Sequence, residues 1–258
     1  MSTFVLLHAH PDDEAIFTGG TIARLSARGH RVVVIFATSG ELGLGAGPGL
    51  AERRRNEAHE ACELLGVDRV VFLDHQDSGM FQGRDLPWGA FTGVKVDVAA
   101  DHVAAIAEGE RADALVTYDA RGVYGHPDHI HAHLVGAAAA RIAGVPTWYE
   151  STVDREYLHF VDTHVANLAG AALATRPVVG TPTVEITSTV DVRQMLDVKL
   201  AAIAAHRSQV SDPTFGSAEH FDEVYGYEWF VRHGPTTALD ELGMAVSRAW
   251  ASGSAVPR

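Results

Sequence analysis

A four-residue phrase occurs twice in this chain with one change, as His10-Pro11-Asp12-Asp13 and as His126-Pro127-Asp128-His129. Each copy follows an apolar run that reads as a buried strand, Phe4-Val5-Leu6-Leu7 before the first and Ala114-Leu115-Val116-Thr117-Tyr118 before the second. Each also opens a segment that reads as a helix. If both strands lie in one parallel sheet, the phrases meet at its carboxyl edge, where open α/β sheets hold their ligands. Three imidazoles and three carboxylates then share one crevice. That inventory suits a divalent metal with a base beside it.

A purely structural reading competes. Proline is favoured in the first turn of a helix, and acidic residues there complement the positive end of the helix dipole. Capping accounts for Pro11, Pro127 and the acids. It does not account for a histidine leading each copy or for the second histidine inside one.

The remaining pattern agrees with an α/β chain. Strands are expected at Phe4–Leu7, Val32–Phe36, Val70–Leu73, Leu115–Tyr118 and from Thr147 to Tyr149. Helices are expected over 11–27, closed by Gly29, over 50–65, closed by Gly66, and over 96–107 and 129–142. Repeated βα units imply a Rossmann-like, mostly parallel sheet with helices on both faces. Beyond about residue 150 the pattern is less regular. Residues 167–182 read as loop or short helix, 184–186 as a short strand and 190–206 as an amphipathic helix. No Pro/Ser linker intervenes, so residues 1–258 are expected to form one domain with a less regular C-terminal extension.

Several function classes are disfavoured. A net charge of −13 argues against a nucleic-acid partner, whose affinity comes from clustered Lys and Arg. No apolar stretch is long enough to span a membrane, and no secretory leader opens the chain, so a cytoplasmic location is expected. The single Cys62 sits in a helical stretch and reads as a packing residue. The glycines at 43, 45, 47 and 49 fail the dinucleotide spacing, because Pro48 stands where the third glycine belongs. An active-site loop is the better reading of that run.

The phrases Ala9-His10-Pro11-Asp12-Asp13-Glu14 and Gly125-His126-Pro127-Asp128-His129 resemble the two signatures of the PIG-L/LmbE-like metal-dependent N-deacetylases. Thr38-Ser39-Gly40-Glu41, Arg54 ahead of Glu57, Asp77-Ser78-Gly79-Met80 and Ala205-His206-Arg207-Ser208-Gln209 agree with it, so the likeness runs from Val5 to about Gln209. The resemblance implies metal ligands at His10, Asp13 and His129. Two imidazoles and one carboxylate suit Zn²⁺ with an open position, and the same set suits Fe²⁺. It further implies that water on the metal attacks an N-acyl group of an amino sugar. Asp12 would be the base, His126 the oxyanion stabiliser or acid, and Asp128 the partner that orients a histidine. Tyr124 is a candidate donor to the tetrahedral oxygen. His131 and His133 read as packing or surface residues, although His129 and His133 share a helical face.

On the substrate side, Arg54 is a candidate for gripping a hydroxyl or phosphate, or else a surface residue paired with Glu57 or Glu60. Asp77 is a candidate for holding sugar hydroxyls. The expected partner is a small amino sugar or glycoside. Alternatives are an amidase of a larger conjugate, such as a thiol conjugate or an antibiotic N-acyl group, and a noncatalytic sugar- or nucleotide-binding module whose repeated phrases only cap helices.

Overall fold

The computed structural model describes residues 1–80, 86–160, 179–210 and 221–243. The chain alternates as the pattern predicts through its first half: β1 (Thr3–His8), α1 (Asp13–Ala27), β2 (Arg31–Thr38), α2 (Leu50–Leu65), β3 (Arg69–His75), α3 (Val96–Glu110) and β4 (Ala114–Tyr118). A single turn, α4 (Gly122–Gly125), precedes α5 (Pro127–Ile142), and β5 (Thr147–Thr152) follows. Then come α6 (Arg155–Phe160), β6 (Ser188–Asp191), α7 (Leu196–Ala205), α8 (Phe221–Tyr225) and β7 (Tyr227–His233).

The strand order is β3-β2-β1-β4-β5-β7-β6. The strands β1 to β5 run parallel, while β7 is antiparallel to both β5 and β6. Val5 pairs with Leu115 across β1 and β4, so the two strands that precede the repeated phrases are neighbours. Sequence order runs outward in opposite directions from this pair, which makes it the switch point where α/β sheets open a crevice.

Continuous apolar runs are what a sheet covered on both faces requires. Phe4, Leu6, Val32, Val34 and Phe36 pack with α1, α2 and α7 on one face. Val5, Leu7, Val33, Ile35 and Leu115 pack with α3 and α5 on the other. Cys62 is buried in the first of these cores, in keeping with a packing role.

The later residues differ from expectation in three places. The strand expected over 184–186 is a 3-10 turn, Thr183–Glu185, and the strand lies just beyond it as β6. The helix expected from Val190 begins only at Leu196. Val190 and Val192 are buried two residues apart, a strand period, and Asp191 binds the Arg193 amide and guanidinium to turn the chain. The third difference is that the pattern assigned no element to α6, α8 or β7. Of the loop or short helix expected over 167–182, residues 167–178 lie outside the described residues.

Candidate active site

The chain leaves β1 at His8, turns through His10-Pro11-Asp12 and enters α1 at Asp13. It leaves β4 at Tyr118 and enters α5 at Pro127. The two junctions bring His10, Asp13 and His129 together. His10 Nδ1 lies 3.4 Å from Asp13 Oδ2, and His129 Nε2 lies 3.3 Å from that oxygen. The same two ring nitrogens are 3.3 Å apart. A triangle with such sides has its centre about 1.9 Å from each corner, close to the zinc–ligand range of roughly 2.0–2.2 Å.

The protonation pattern of the rings also suits a cation. His10 Nε2 faces Asp128 Oδ2 at 3.2 Å and Asp77 Oδ1 at 3.6 Å, so it carries the proton and leaves Nδ1 as an acceptor. Without a cation, His10 takes up a second proton at this place, so the three atoms form a site that gathers positive charge. The donor set therefore fits a divalent ion. The histidine that Asp128 orients is His10. Ring nitrogens of His10, His126 and His129 also come within 4.8 Å of one another, so His126 borders the same centre.

Charge follows this arrangement. Burial opposes the ionisation of Asp13, but His129 and His10 hold its carboxyl well below the usual range. Burial likewise opposes a charge on His10, yet Asp128, Asp13 and Asp77 raise it well above an ordinary imidazole. Asp77 is held low by His10 and the Gly79 amide in spite of burial.

Asp12 stands at the N-terminus of α1, but its carboxylate makes no cap hydrogen bond. Its Oδ2 instead accepts from Arg54 at 3.0 Å. Burial pushes the Asp12 carboxyl up to about 7, against the Arg54 charge that pulls it down. The carboxylate therefore does not serve as a hydrogen-bonding cap at this turn. His126 does cap α5: its Nδ1 accepts from the Asp128 amide at 3.1 Å. Burial, with the charges of His10 and His129, pushes His126 down to about 4. A neutral imidazole whose Nδ1 accepts must carry its proton on Nε2.

Arg54 is 3% exposed and also donates to the carbonyls of Gly40 and Pro11. The surface alternative for Arg54 is thus overturned: Glu57 pairs with Ser208, and Glu60 with Arg207. Asp77 Oδ2 accepts from the Leu42 amide at 3.2 Å, joining the two loops that leave β2 and β3. A cleft of about 400 Å³ opens over these groups, lined by His10, Asp12, Arg54, Asp77, Tyr124 and His126. Leu42, Gly43, Leu44, Gly79, Met80 and Gln209 form its mouth. The Gly-rich loop borders the cleft as expected, and the start of the loop after β3 does so too. His131 packs edge-on against Phe91, and His133 Nδ1 lies 3.0 Å from the Tyr118 carbonyl, so neither joins the cluster.

Three contributors were not assigned a role from sequence. Tyr118 donates to Asp13 Oδ2 at 2.8 Å and stacks on the His129 ring at 4.1 Å. Glu14 Oε2 accepts from the Asp12 amide at 2.9 Å, and His206 Nε2 lies 2.6 Å from Glu14 Oε1. The position of Tyr118 at the end of β4, beside the sheet edge that carries the site, is the one signal that could have marked it. Glycine at 122 is required by closeness: at φ 62°, an added Cβ would lie 2.7 Å from the His129 Cβ.

Comparison with known proteins shows the family of the chain. The family profile described as "PIG-L: GlcNAc-PI de-N-acetylase" matches residues 5–140, which contain both phrases. A 1D-myo-inositol 2-acetamido-2-deoxy-alpha-D-glucopyranoside deacetylase from a Nocardioides species is 31% identical over 93% of this chain and 95% of its own. An Actinosynnema mirum protein of the same name is 36% identical over 80% of each chain. Among solved structures, the N,N'-diacetylchitobiose deacetylase from Pyrococcus horikoshii superposes with a TM-score of 0.58 at 24% identity, over 90% of this chain and 84% of that one. The sheet, the switch-point crevice and the matched signatures lead to one assignment: the chain belongs to the PIG-L, or GlcNAc-PI de-N-acetylase, family.

Proposed function

We propose that this chain is a zinc-dependent hydrolase that removes the acetyl group from the nitrogen of a glucosamine-type amino sugar. One observation carries the reading. A buried carboxylate (Asp12), a neutral ring donor (His126) and the His10–Asp13–His129 set converge on one polar cleft. The names of the relatives support the substrate class.

When held by His10 Nδ1, Asp13 Oδ2 and His129 Nε2, a divalent ion supplies Lewis acidity, acidifying water and polarising an amide carbonyl. The protein's own groups do the rest. Asp12 takes the proton of the attacking water, and a carboxyl near 7 is well matched to that task. Arg54 fixes one of its oxygens. His126 presents an Nε2–H to the oxyanion that develops on the acyl group. Because His126 is neutral in this range, the acid available to the departing amine is the Asp12 carboxyl formed in the first step. Tyr124, kept protonated by burial, lines the same cleft and can donate to the same oxygen. Asp77 offers acceptor oxygens to sugar hydroxyls at the cleft wall.

The test is a panel of N-acetylated amino sugars, including 1D-myo-inositol 2-acetamido-2-deoxy-α-D-glucopyranoside, incubated with zinc-loaded protein and assayed for free amine. Stoichiometric zinc and metal-dependent release of amine are expected. Full zinc occupancy with no release from any member of the panel would overturn the reading.

A further inference from the structure

The short segment after α7 reaches four places at once. His206 is fully buried and bonds Glu14 of α1, 192 positions away in sequence. Arg207 pairs with Glu60 of α2. Ser208 donates both its amide, at 2.9 Å, and its hydroxyl, at 2.6 Å, to Glu57 of α2. Gln209 grips the Gly-rich loop by both ends of one residue: its Oε1 accepts from the Leu44 amide at 2.9 Å, and its Nε2 donates to the Leu44 carbonyl at 3.3 Å.

These anchors end on the groups that matter to the cleft. Asp12 is a non-glycine residue at φ 115°, a backbone position that side chains disfavour. Its amide is held by Glu14 Oε2, while Arg54 holds its carboxylate and the preceding carbonyl. Glu14 is fully buried, and His206 is the hydrogen-bond partner that fixes its other oxygen. Freed from His206, Glu14 would have rotamers open to it that release the Asp12 amide. Gly43 shows how tightly the loop lies against the same segment: a Cβ there would fall 2.4 Å from Gln209 Oε1 and 2.5 Å from Arg54 Nη1.

We propose that residues 206–209 are a positioning strap with two separable duties. His206 acts through Glu14 to hold Asp12 in its base geometry, and Gln209 holds the Gly-rich loop that forms the mouth of the cleft. Neither residue touches the reacting atoms. The proposal rests on the deacetylase reading for its kinetic test and on coordinates for an independent one.

The kinetic test uses zinc-loaded protein with 1D-myo-inositol 2-acetamido-2-deoxy-α-D-glucopyranoside. His206→Ala should keep its zinc and its KM and lose about 100-fold in kcat, the scale of a misplaced reacting group. His206→Gln, which retains a donor towards Glu14, should recover most of that loss. In an Asp12→Asn background His206→Ala should cost little more, because its effect passes through Asp12. Gln209→Ala should raise KM with kcat largely kept. Should His206→Ala fail to fold, the paired replacement Glu14→Met with His206→Leu removes both buried partners together and is read in the same way. A full additional loss in the Asp12→Asn background, or wild-type kcat in His206→Ala or in the Glu14→Met, His206→Leu pair, would overturn the strap. The second test is the crystal structure of the folded variant, which needs no turnover. Asp12 should leave its left-handed backbone position and part from Arg54. An unchanged Asp12 would overturn the proposal even if the wild type deacetylates nothing on the panel.

Discussion

The contacts that hold Asp12 at φ 115° also fix one of its carboxylate oxygens. Such a conformation costs on the order of 1–3 kcal/mol and persists only where neighbours over-determine it. Here the neighbours are Glu14 and Arg54, while burial raises the carboxyl to about 7 against the pull of Arg54. Asn tolerates this backbone region about as well as Asp does, so Asp12→Asn removes the proton acceptor while sparing the geometry. Zinc content should stay at the wild-type level, because His10, Asp13 and His129 are untouched. Turnover should fall by roughly 10²–10⁴, the worth of a positioned base. A base works only when deprotonated, so wild-type kcat/KM should rise with pH along a limb at or below about 7. A bound cation moves that limb downward. The residual rate of Asp12→Asn should lack the limb. Near-wild-type activity in a folded, zinc-loaded Asp12→Asn protein would remove Asp12 from the mechanism.

At the level of elements, the parts of the fold that were legible in sequence are those fixed locally. Each repeated phrase sits at a strand-to-helix turn whose hydrophobic run, proline and acids are contiguous, so both junctions could be read directly, while the proposed ligand set came from the family resemblance. The parts that escaped depend on distant partners. His206 has meaning only beside Glu14, and β7 pairs antiparallel with β5 after a gap of more than 70 residues. The region 184–206 was misread because Val192 fits a helical stripe with Met195, Leu196, Leu200 and Ile203 as well as a strand period with Val190, and tertiary contact chose the extended form. Asp240 shows how the late elements are joined. It accepts from Ser188 of β6, Tyr149 of β5, Arg232 of β7 and the Thr237 amide. Burial opposes its charge, but these donors hold the carboxyl below its ordinary value. A depressed carboxyl stabilises the fold above its unfolded pKa and loses that contribution as pH falls through the folded value. Asp240→Asn turns an acceptor into a donor facing Tyr149 or Ser188, at a cost of about 1–3 kcal/mol. Urea unfolding should show the full deficit from pH 7 down to about 5, narrowing below about 4. A deficit that is constant down to pH 3 would place the effect in packing instead.

Across the whole molecule, the late residues are tied into the first core. Glu228 of β7 accepts from the Gly20 and Thr21 amides of α1 at 2.8 Å each and from Lys199 of α7 at 2.8 Å, with both charges 1% exposed. The metal-type donor set makes a second tie, across the switch point: His10 and Asp13 come from the β1–α1 junction and His129 from the start of α5. The unfolded chain does not hold these three atoms together, so an ion that binds them favours the folded state by mass action. With free zinc at one hundred times its dissociation constant, the gain is about 2.7 kcal/mol. For a chain of this size that corresponds to a rise in Tm of roughly 5–10 °C. Chelation should lower the transition by that amount, and restoring zinc should recover it. Asp13→Ala removes the anionic corner of the set, so its Tm should respond far less to zinc or chelator. Because Asp13 also accepts from Tyr118 and the His10 amide, the variant will start from a lower Tm, and the quantity to compare is the zinc-induced shift. An equal shift in wild type and Asp13→Ala would mean that the stabilising ion binds elsewhere on the chain.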